Sequence, residues 1–199
     1  MSHPPVPSPT TTSMPSSQEI VDDLADSGML LSIAIAGGGA SGITDLLSCS
    51  GCSKFLFDFQ VPYGKGAFDS LAGHLMDLDY KYVTSDAAER LARGILAQQL
   101  RKEHNVEDRI RVGVGVTSKL TTGPDEREGR EHVVYFSVVL RNVDYTELVA
   151  EVSYNPIAES RLEQESEVAG ALLAFLLNVS QQVRLMRIDN ELQYFNPSA

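Results

Sequence analysis

The sequence is poor in cationic side chains: 16 lysines and arginines stand against 27 aspartates and glutamates, a formal net charge of -11. Binding a polyanion such as DNA depends on clusters of Lys and Arg, so this balance argues against nucleic acid. Cysteine is scarce as well, with 2 residues in 199, too few for a disulfide scaffold and in keeping with a reducing compartment. Cys49 and Cys52 form a single CxxC, half of a structural zinc site, and His74, His104 and His132 show no partner spacing of the usual kind. A redox pair would need a thiol at a helix start, whereas this pair follows a helix; turn cysteines and no metal are expected. No apolar run approaches a membrane span. The amino terminus lacks the basic residues and apolar block of a secretory signal and the arginines of a transit peptide. A cytoplasmic protein with no membrane partner is therefore expected.

Hydrophobic residues make up 43 % of the chain, enough at this length for one ordinary domain with a sizeable core. Residues 1–15 are rich in Pro, Ser and Thr and bury too little to offset their ordering entropy, so a disordered tail is expected there. The domain is expected over 16–188, with 189–199 as a second tail. Ser16 and Glu19 have capping-box spacing ahead of the apolar stripe Ile20, Val21 and Leu24, and Gly28 is placed to end that helix. Phe55, Phe57, Phe59 and Val61 alternate with Asp58 and Gln60, predicting a strand with one buried face that Pro62 stops. A short helix follows near Phe68 to Ala72.

The clearest helix takes Ser85 as its N-cap and carries Ala88, Ala92, Leu96 and Leu100 at i+4 spacing into a basic Arg101-Lys102 turn. Ile110, Val112, Val114 and Val116 then alternate with Arg111, Gly113 and Gly115, a strand whose second face lets a helix or a ligand approach the backbone. Val133 to Leu140, apolar on both faces, and the alternating Leu148, Ala150 and Val152 read as an antiparallel hairpin about Asn142 to Asp144. A last helix over about 160–187 buries Leu162, Ala169, Leu172, Leu173, Leu176, Val179 and Val183. Glu163, Glu165 and Glu167 lie on several of its sides and are expected to face solvent. The order α-β-α-β-α-α-β-β-β-α predicts a single layered α/β domain with a mixed sheet of about five strands.

The chain is organised around Leu30 to Ser48. Leu31, Ile33 and Ile35 alternate with Ser32, Ala34 and Ala36, the run Gly37-Gly38-Gly39-Ala40-Ser41-Gly42 follows, and Ile43, Leu46 and Leu47 resume at helical spacing. A glycine run where a strand hands over to a helix offers bare amides at the positive end of a helix, which suits a phosphate. Gly37, Gly39 and Gly42 also satisfy GxGxxG, with Asp58 at about the ribose-binding distance. The short following helix and the short chain weigh against the full dinucleotide fold, and a tight turn with no ligand is the plain alternative. Lys119, Arg127, Arg130 and His132 flank the loop after Thr117 and can form a positive patch, against which Asp125, Glu126 and Glu128 favour a solvated loop.

The order of elements and several strings resemble the carboxy-terminal domain of the CinA family, whose bacterial members deamidate nicotinamide mononucleotide. Ile33 to Ala40, Ser50 to Ser53 and Val61 to Gly64 are similar, at the same spacing, to the family's Ser-Cys-Thr-Gly-Gly turn, its next turn and its Tyr-Ser-Asn strand end. Val83-Thr84-Ser85 resembles the start of its long helix, and Val116-Thr117-Ser118 through Val134-Tyr135 resembles its later Val-Thr-Gly and Val-Tyr strands. The resemblance puts Ala36 at the nucleophilic serine and Phe68 at the catalytic lysine. Neither side chain can act as nucleophile or base. The serine-less, glycine-rich turn is similar to that of eukaryotic branches of the family.

What the resemblance implies is a homo-oligomer, without a cofactor, that binds a phosphorylated small molecule such as nicotinamide mononucleotide. The expected binding set is Gly37, Gly38, Gly39, Ser41, Gly42, Tyr63, Lys65, Thr117 and Ser118. Loss of amidohydrolase activity is expected. One alternative is an active deamidase in which Ser41 and Lys65, near the lost positions, substitute after a shift of register. The other is an oligomeric interaction module without a ligand.

Overall fold

The structure is a computed structural model that describes residues 14–73, 79–102, 109–123, 129–142 and 146–195, with side chains as far as 187. Residues 1–13 of the tail expected over 1–15, 196–199 of the second expected tail, His74, His104, Arg127 with its acidic neighbours, and Val143 and Asp144 of the hairpin turn lie outside the described residues. The elements are α1 (Ser17–Asp26), β1 (Met29–Ala36), α2 (Ala40–Leu47), β2 (Leu56–Gln60), α3 (Lys65–Ala72), α4 (Ser85–Lys102), β3 (Ile110–Lys119), β4 (Val133–Arg141), β5 (Glu147–Tyr154) and α5 (Arg161–Phe195). One sheet has the order β2-β1-β3-β4-β5. β1 is parallel to β2 and β3, and β3, β4 and β5 are antiparallel, so the sheet is mixed as the pattern predicts.

Period-two burial explains the layers. Leu31, Ile33 and Ile35 of β1, Val112, Val114 and Val116 of β3 and Val134, Phe136 and Val138 of β4 point to one face. There Ile20 and Leu24 of α1, Ile43 and Leu46 of α2, and Val168, Leu172, Leu176, Val179 and Val183 of α5 cover them. Each such side chain taken fully out of water contributes roughly 1.5–3 kcal/mol. On the other face Ala34 meets Phe68 and Leu71 of α3 and Ala87, Leu91 and Ile95 of α4. α4 lies directly on the glycine face of β3, where a Cβ at Gly113 or Gly115 would run into the carbonyl oxygens of Ala92 and Ala88. The glycines are there for a helix.

The Ser16–Glu19 capping box forms as predicted, with the Ser16 amide 2.8 Å from Glu19 Oε2. α4 is capped one residue earlier than expected: the Thr84 hydroxyl, not Ser85, accepts from the Ala87 amide at 3.1 Å. β2 departs from its predicted alternation, because the pairing steps from Leu31↔Leu56 to Ser32↔Asp58 and leaves Phe57 unopposed in a bulge. Leu56 and Phe59 therefore pack against the core, Phe55 is fully buried just ahead of the strand, and Val61 is 48 % exposed.

α5 continues past Arg187 to Phe195, so 189–195 is helix and not tail. In its first turn Gln164 is fully buried, and Leu162, expected in the core, is 77 % exposed. By length and composition Arg161–Arg187 would pass for a membrane span; half of its apolar window is buried inside the protein.

Candidate functional site

β1 and β3 run side by side, and the chain leaves β1 through α2 towards β2 on one flank and reaches β3 through α4 on the other. Such a switch of direction opens a crevice outside the carboxyl ends of the strands. A cleft of about 280 Å³ lies there. Ala36 and Gly37 come from the end of β1, and Ser118, Lys119 and Leu120 come from the end of β3. Pro62, Tyr63, Lys65 and Phe68 descend from the segment after β2, Tyr82 and Val83 precede α4, and Thr122, Arg130 and Arg161 close the rim.

The inner wall is aromatic. Phe68, 2 % exposed, meets Tyr82 edge-on with ring centroids 5.1 Å apart. Tyr82 in turn meets Tyr80 edge-on at 5.3 Å. Lys65 Nζ sits 5.5 Å above the Tyr82 ring, a cation–π contact. Burial and the Asp69 carboxylate, 3.4 Å from its hydroxyl, push the Tyr82 phenol up, so it stays a neutral donor. The charge of the lining, among the described residues, is one-sided: Lys65, Lys119, Arg130 and Arg161 are present with no Asp or Glu. Among the described residues Lys65, Lys119 and Arg161 have no ion-pair partner.

The glycine turn borders this cleft and is filled from within. The Gly38 amide donates to Ser118 Oγ at 2.6 Å, the Gly39 amide to Glu165 Oε2 at 2.8 Å and the Ser41 amide to Glu165 Oε1 at 3.2 Å. The anion at the start of α2 is thus a side chain of α5, which corrects the expectation that Glu165 faces solvent. Satisfying otherwise orphaned amides at a helix start is what draws it in. Gly39, at φ +103, is the N-cap, and a Cβ there would come within 2.9 Å of Val168 Cγ1. A Cβ at Gly42 would lie 3.1 Å from the Ala169 carbonyl oxygen. These glycines admit α5. Glu167 likewise accepts from the Ile157 and Ala158 amides (3.1 and 3.2 Å), while Glu163 forms an exposed capping box with Ser160.

Of the residues expected to bind a ligand, Gly37, Tyr63, Lys65 and Ser118 line the cleft, beside Ala36 and Phe68. Gly38, Gly39, Ser41 and Gly42 do not; they lie under α5, and the Ser41 hydroxyl is 3.3 Å from Glu165 Oε1. Thr117 is fully buried and donates to the Thr84 carbonyl at 3.3 Å, holding the start of α4. Lys119 and Arg130 of the basic loop reach the cleft, whereas His132 pairs with Gln164 Nε2 at 2.9 Å. Tyr82 and Arg161 escaped the sequence reading: the only local hint is the Tyr80-Lys81-Tyr82 string ahead of the Thr84 cap, and nothing marks Arg161.

The cysteines behave as turn residues. Cys52 is buried with Sγ 2.9 Å from the Leu46 carbonyl, and Cys49 Sγ is 3.5 Å from the Asp45 carbonyl. Burial, with Cys49 nearby, pushes the Cys52 thiol up and away from the reactive thiolate. Among the described residues no cluster of His, Cys, Asp and Glu is placed to hold a metal.

Comparison with family models and with curated proteins gives no match. Solved structures do match. A CinA-superfamily protein from Klebsiella pneumoniae 700603 superposes with a TM-score of 0.62 at 12 % identity, over 83 % of this chain and 96 % of that one. A competence or damage-inducible protein from Enterobacter asburiae gives 0.60 at 13 %, over 83 % and 99 %. The competence/damage-inducible protein CihA from Agrobacterium tumefaciens gives 0.55 at 17 %, over 84 % and 92 %. The chain has the CinA-superfamily fold.

Proposed function

Starting from the CinA-superfamily fold, we propose that the protein binds a phosphorylated small molecule with a flat ring, a mononucleotide such as nicotinamide mononucleotide, and does not hydrolyse it. One observation carries this reading: in a chain of net charge -11, a cleft is lined by Lys65, Lys119, Arg130 and Arg161 and by no carboxylate among the described residues. Concentrating cations against the overall charge creates a local positive potential inside a partly enclosed wall, where charge-assisted hydrogen bonds to phosphate are strong. The Tyr82 ring beside Lys65 suits a planar group.

Amide hydrolysis through a covalent intermediate needs a hydroxyl and a base to take its proton. Ala36 and Phe68 stand where the resemblance places these groups, and both line the cleft. Lys65 lies in the cleft, but Ser41, the substitute hydroxyl, is held by Glu165 outside it. The phosphate is taken by the cationic rim, since the Gly38, Gly39 and Ser41 amides of the glycine turn already have acceptors.

Titration calorimetry with nicotinamide mononucleotide, its acid and adenosine monophosphate tests this, with the dephosphorylated nucleosides as controls. Binding of a nucleotide, at least tenfold weaker binding of its nucleoside, and no ammonia above buffer are expected. Absence of heat for every phosphorylated ligand at millimolar concentration would refute the binding. Ammonia release that tracks the protein would refute the lack of hydrolysis.

A further inference from the structure

We infer that the cleft takes a nucleotide whose ring carries a negative charge of its own, a carboxylate, and that Lys65 is the residue that tells this acid from a neutral ring. The inference rests on the nucleotide-binding reading above and narrows it, from phosphorylated ligands in general to ligands with two separated anionic groups.

The cations of the cleft fall into two groups, and three of them belong together. Gln164 of α5 is fully buried and joins three segments. Its Oε1 accepts from the Thr121 amide at 2.7 Å, while its Nε2 donates to the Ala158 carbonyl at 2.8 Å and pairs with His132 Nδ1 at 2.9 Å. Lys119 lies two residues before Thr121, Arg130 two residues before His132, and Arg161 one helical turn before Gln164. Arg130 is tied to the end of β3 as well, where its Nη2 donates to the Leu120 carbonyl at 3.5 Å. One buried amide side chain thus gathers the segments that bear Lys119, Arg130 and Arg161. A phosphate, with a charge of about -1.5 to -2 at pH 7 and three acceptor oxygens, matches this group.

Lys65 stands apart from them. It opens α3, which packs on the face of the sheet opposite to α5, and its surroundings are aromatic. Its Nζ is 5.5 Å from the centre of the Tyr82 ring, and Tyr82 meets Phe68 edge-on. Asp69, one turn farther along α3, is engaged by the Tyr82 hydroxyl at 3.4 Å and makes no ion pair with Lys65. The cleft therefore holds a lone cation beside aromatic surface on one wall and a group of three on the other.

A nucleotide anchored by its phosphate at the group of three directs its ring to the aromatic wall. A carboxylate on that ring meets the Lys65 ammonium in a charge-assisted hydrogen bond, which is stronger than the bond a neutral carboxamide offers. A ring without the negative charge also covers the ammonium and removes its water while returning no counter-charge, which costs binding energy. Both effects favour the acid, and both act through Lys65 alone.

Titration calorimetry of the full chain with two matched pairs tests the proposal: nicotinic acid mononucleotide against nicotinamide mononucleotide, and orotidine monophosphate against uridine monophosphate. Within each pair the members differ by one ring carboxylate. The acid of at least one pair is expected to bind wild type about tenfold tighter than its neutral partner. Lys65→Gln is expected to abolish that preference and Lys65→Arg to keep it; Lys65 is exposed in the free protein, and the arginine variant retains a cation next to Tyr82. Lys119→Ala is expected to weaken both members of the pair alike and leave their ratio unchanged. The proposal is overturned if neither acid exceeds its neutral partner, or if the preference persists in Lys65→Gln. It is equally overturned if Lys65→Gln weakens acid and neutral partner to the same extent, which would place the phosphate at Lys65. Failure of all four nucleotides to bind would defeat the nucleotide-binding reading and this inference with it, whereas equal affinities within both pairs would defeat this inference alone.

Discussion

Glu165 is bound to Gly39 across 126 positions of sequence: its Oε2 accepts from the Gly39 amide at 2.8 Å, and its Oε1 from the Ser41 amide at 3.2 Å. One carboxylate thus completes the start of α2 and fastens α5 to the glycine turn. Removing it strands two amides in a part-buried site, a loss of about 1–3 kcal/mol. Glu165→Ala is expected to lower the urea midpoint accordingly, and Glu165→Gln to lower it less. An unchanged midpoint for Glu165→Ala would mean that the turn does not depend on this contact.

The cationic rim makes a separate prediction. Lys119 and Arg161 lie on different elements and have no ion-pair partner among the described residues, so each is available to a ligand phosphate. A charge-assisted hydrogen bond is worth about 1.5–3 kcal/mol, and Lys119→Ala or Arg161→Ala is expected to weaken nucleotide binding by about tenfold or more, without changing the melting temperature of the free protein. Calorimetry with the same nucleotide at two salt concentrations checks it. Affinities equal to wild type in both variants would move the phosphate away from the rim.

Glycine substitutions should differ in sign. At Gly115 a Cβ would strike the Ala88 carbonyl oxygen and lie 2.6 Å from the Ala92 amide nitrogen, so Gly115→Ala must push α4 off the sheet. Overpacking of this kind costs about 1–3 kcal/mol. Gly66, inside α3 and exposed, has nothing within 4 Å of such a Cβ. Gly66→Ala is expected to stabilise by about 0.5–1 kcal/mol through helix propensity and a less flexible unfolded chain. Chemical denaturation of both variants decides, and equal signs would contradict the packing described.

The order of elements was legible because burial in each is periodic: Leu31, Ile33 and Ile35 declare β1 and Ala88, Ala92 and Leu96 declare α4 without help from distant residues. Gly113 and Gly115 were legible as a close approach, though the sequence left open whether to a helix or a ligand. The contact of the glycine turn with Glu165 was not legible for the complementary reason. The turn's amides are local, but their acceptor is Glu165, and periodicity along α5 does not say which of Glu163, Glu165 and Glu167 meets another element. Phe57 shows a similar limit, since alternation is blind to a bulge that depends on the register with β1. The cleft was half legible: Tyr63, Lys65, Lys119 and Arg130 lie near recognisable strand ends, while Tyr82 and Arg161 are brought in by tertiary packing alone.

Tyr154 provides the last prediction. Its ring stacks on Phe136 with centroids 6.0 Å apart and an interplanar angle of 12°, yet its hydroxyl is buried without a hydrogen-bond partner among the described residues. Burial, with the Glu167 charge adding to it, pushes the phenol above its ordinary value near 10. A phenol that holds its proton more tightly in the folded than in the unfolded protein favours the fold fully below pH ~10, and the advantage is lost as the unfolded chain begins to ionise above it. Tyr154→Phe keeps the stack and removes both the unpartnered oxygen and the titrating group. At pH 7 the variant is expected to be as stable as wild type or about 1 kcal/mol more so, and above pH ~10 its stability should decline less steeply. Urea melts at pH 7 and at two alkaline values measure both effects. A clear loss of stability at neutral pH would show that the hydroxyl has a partner after all, and parallel alkaline slopes would place the titrating group elsewhere.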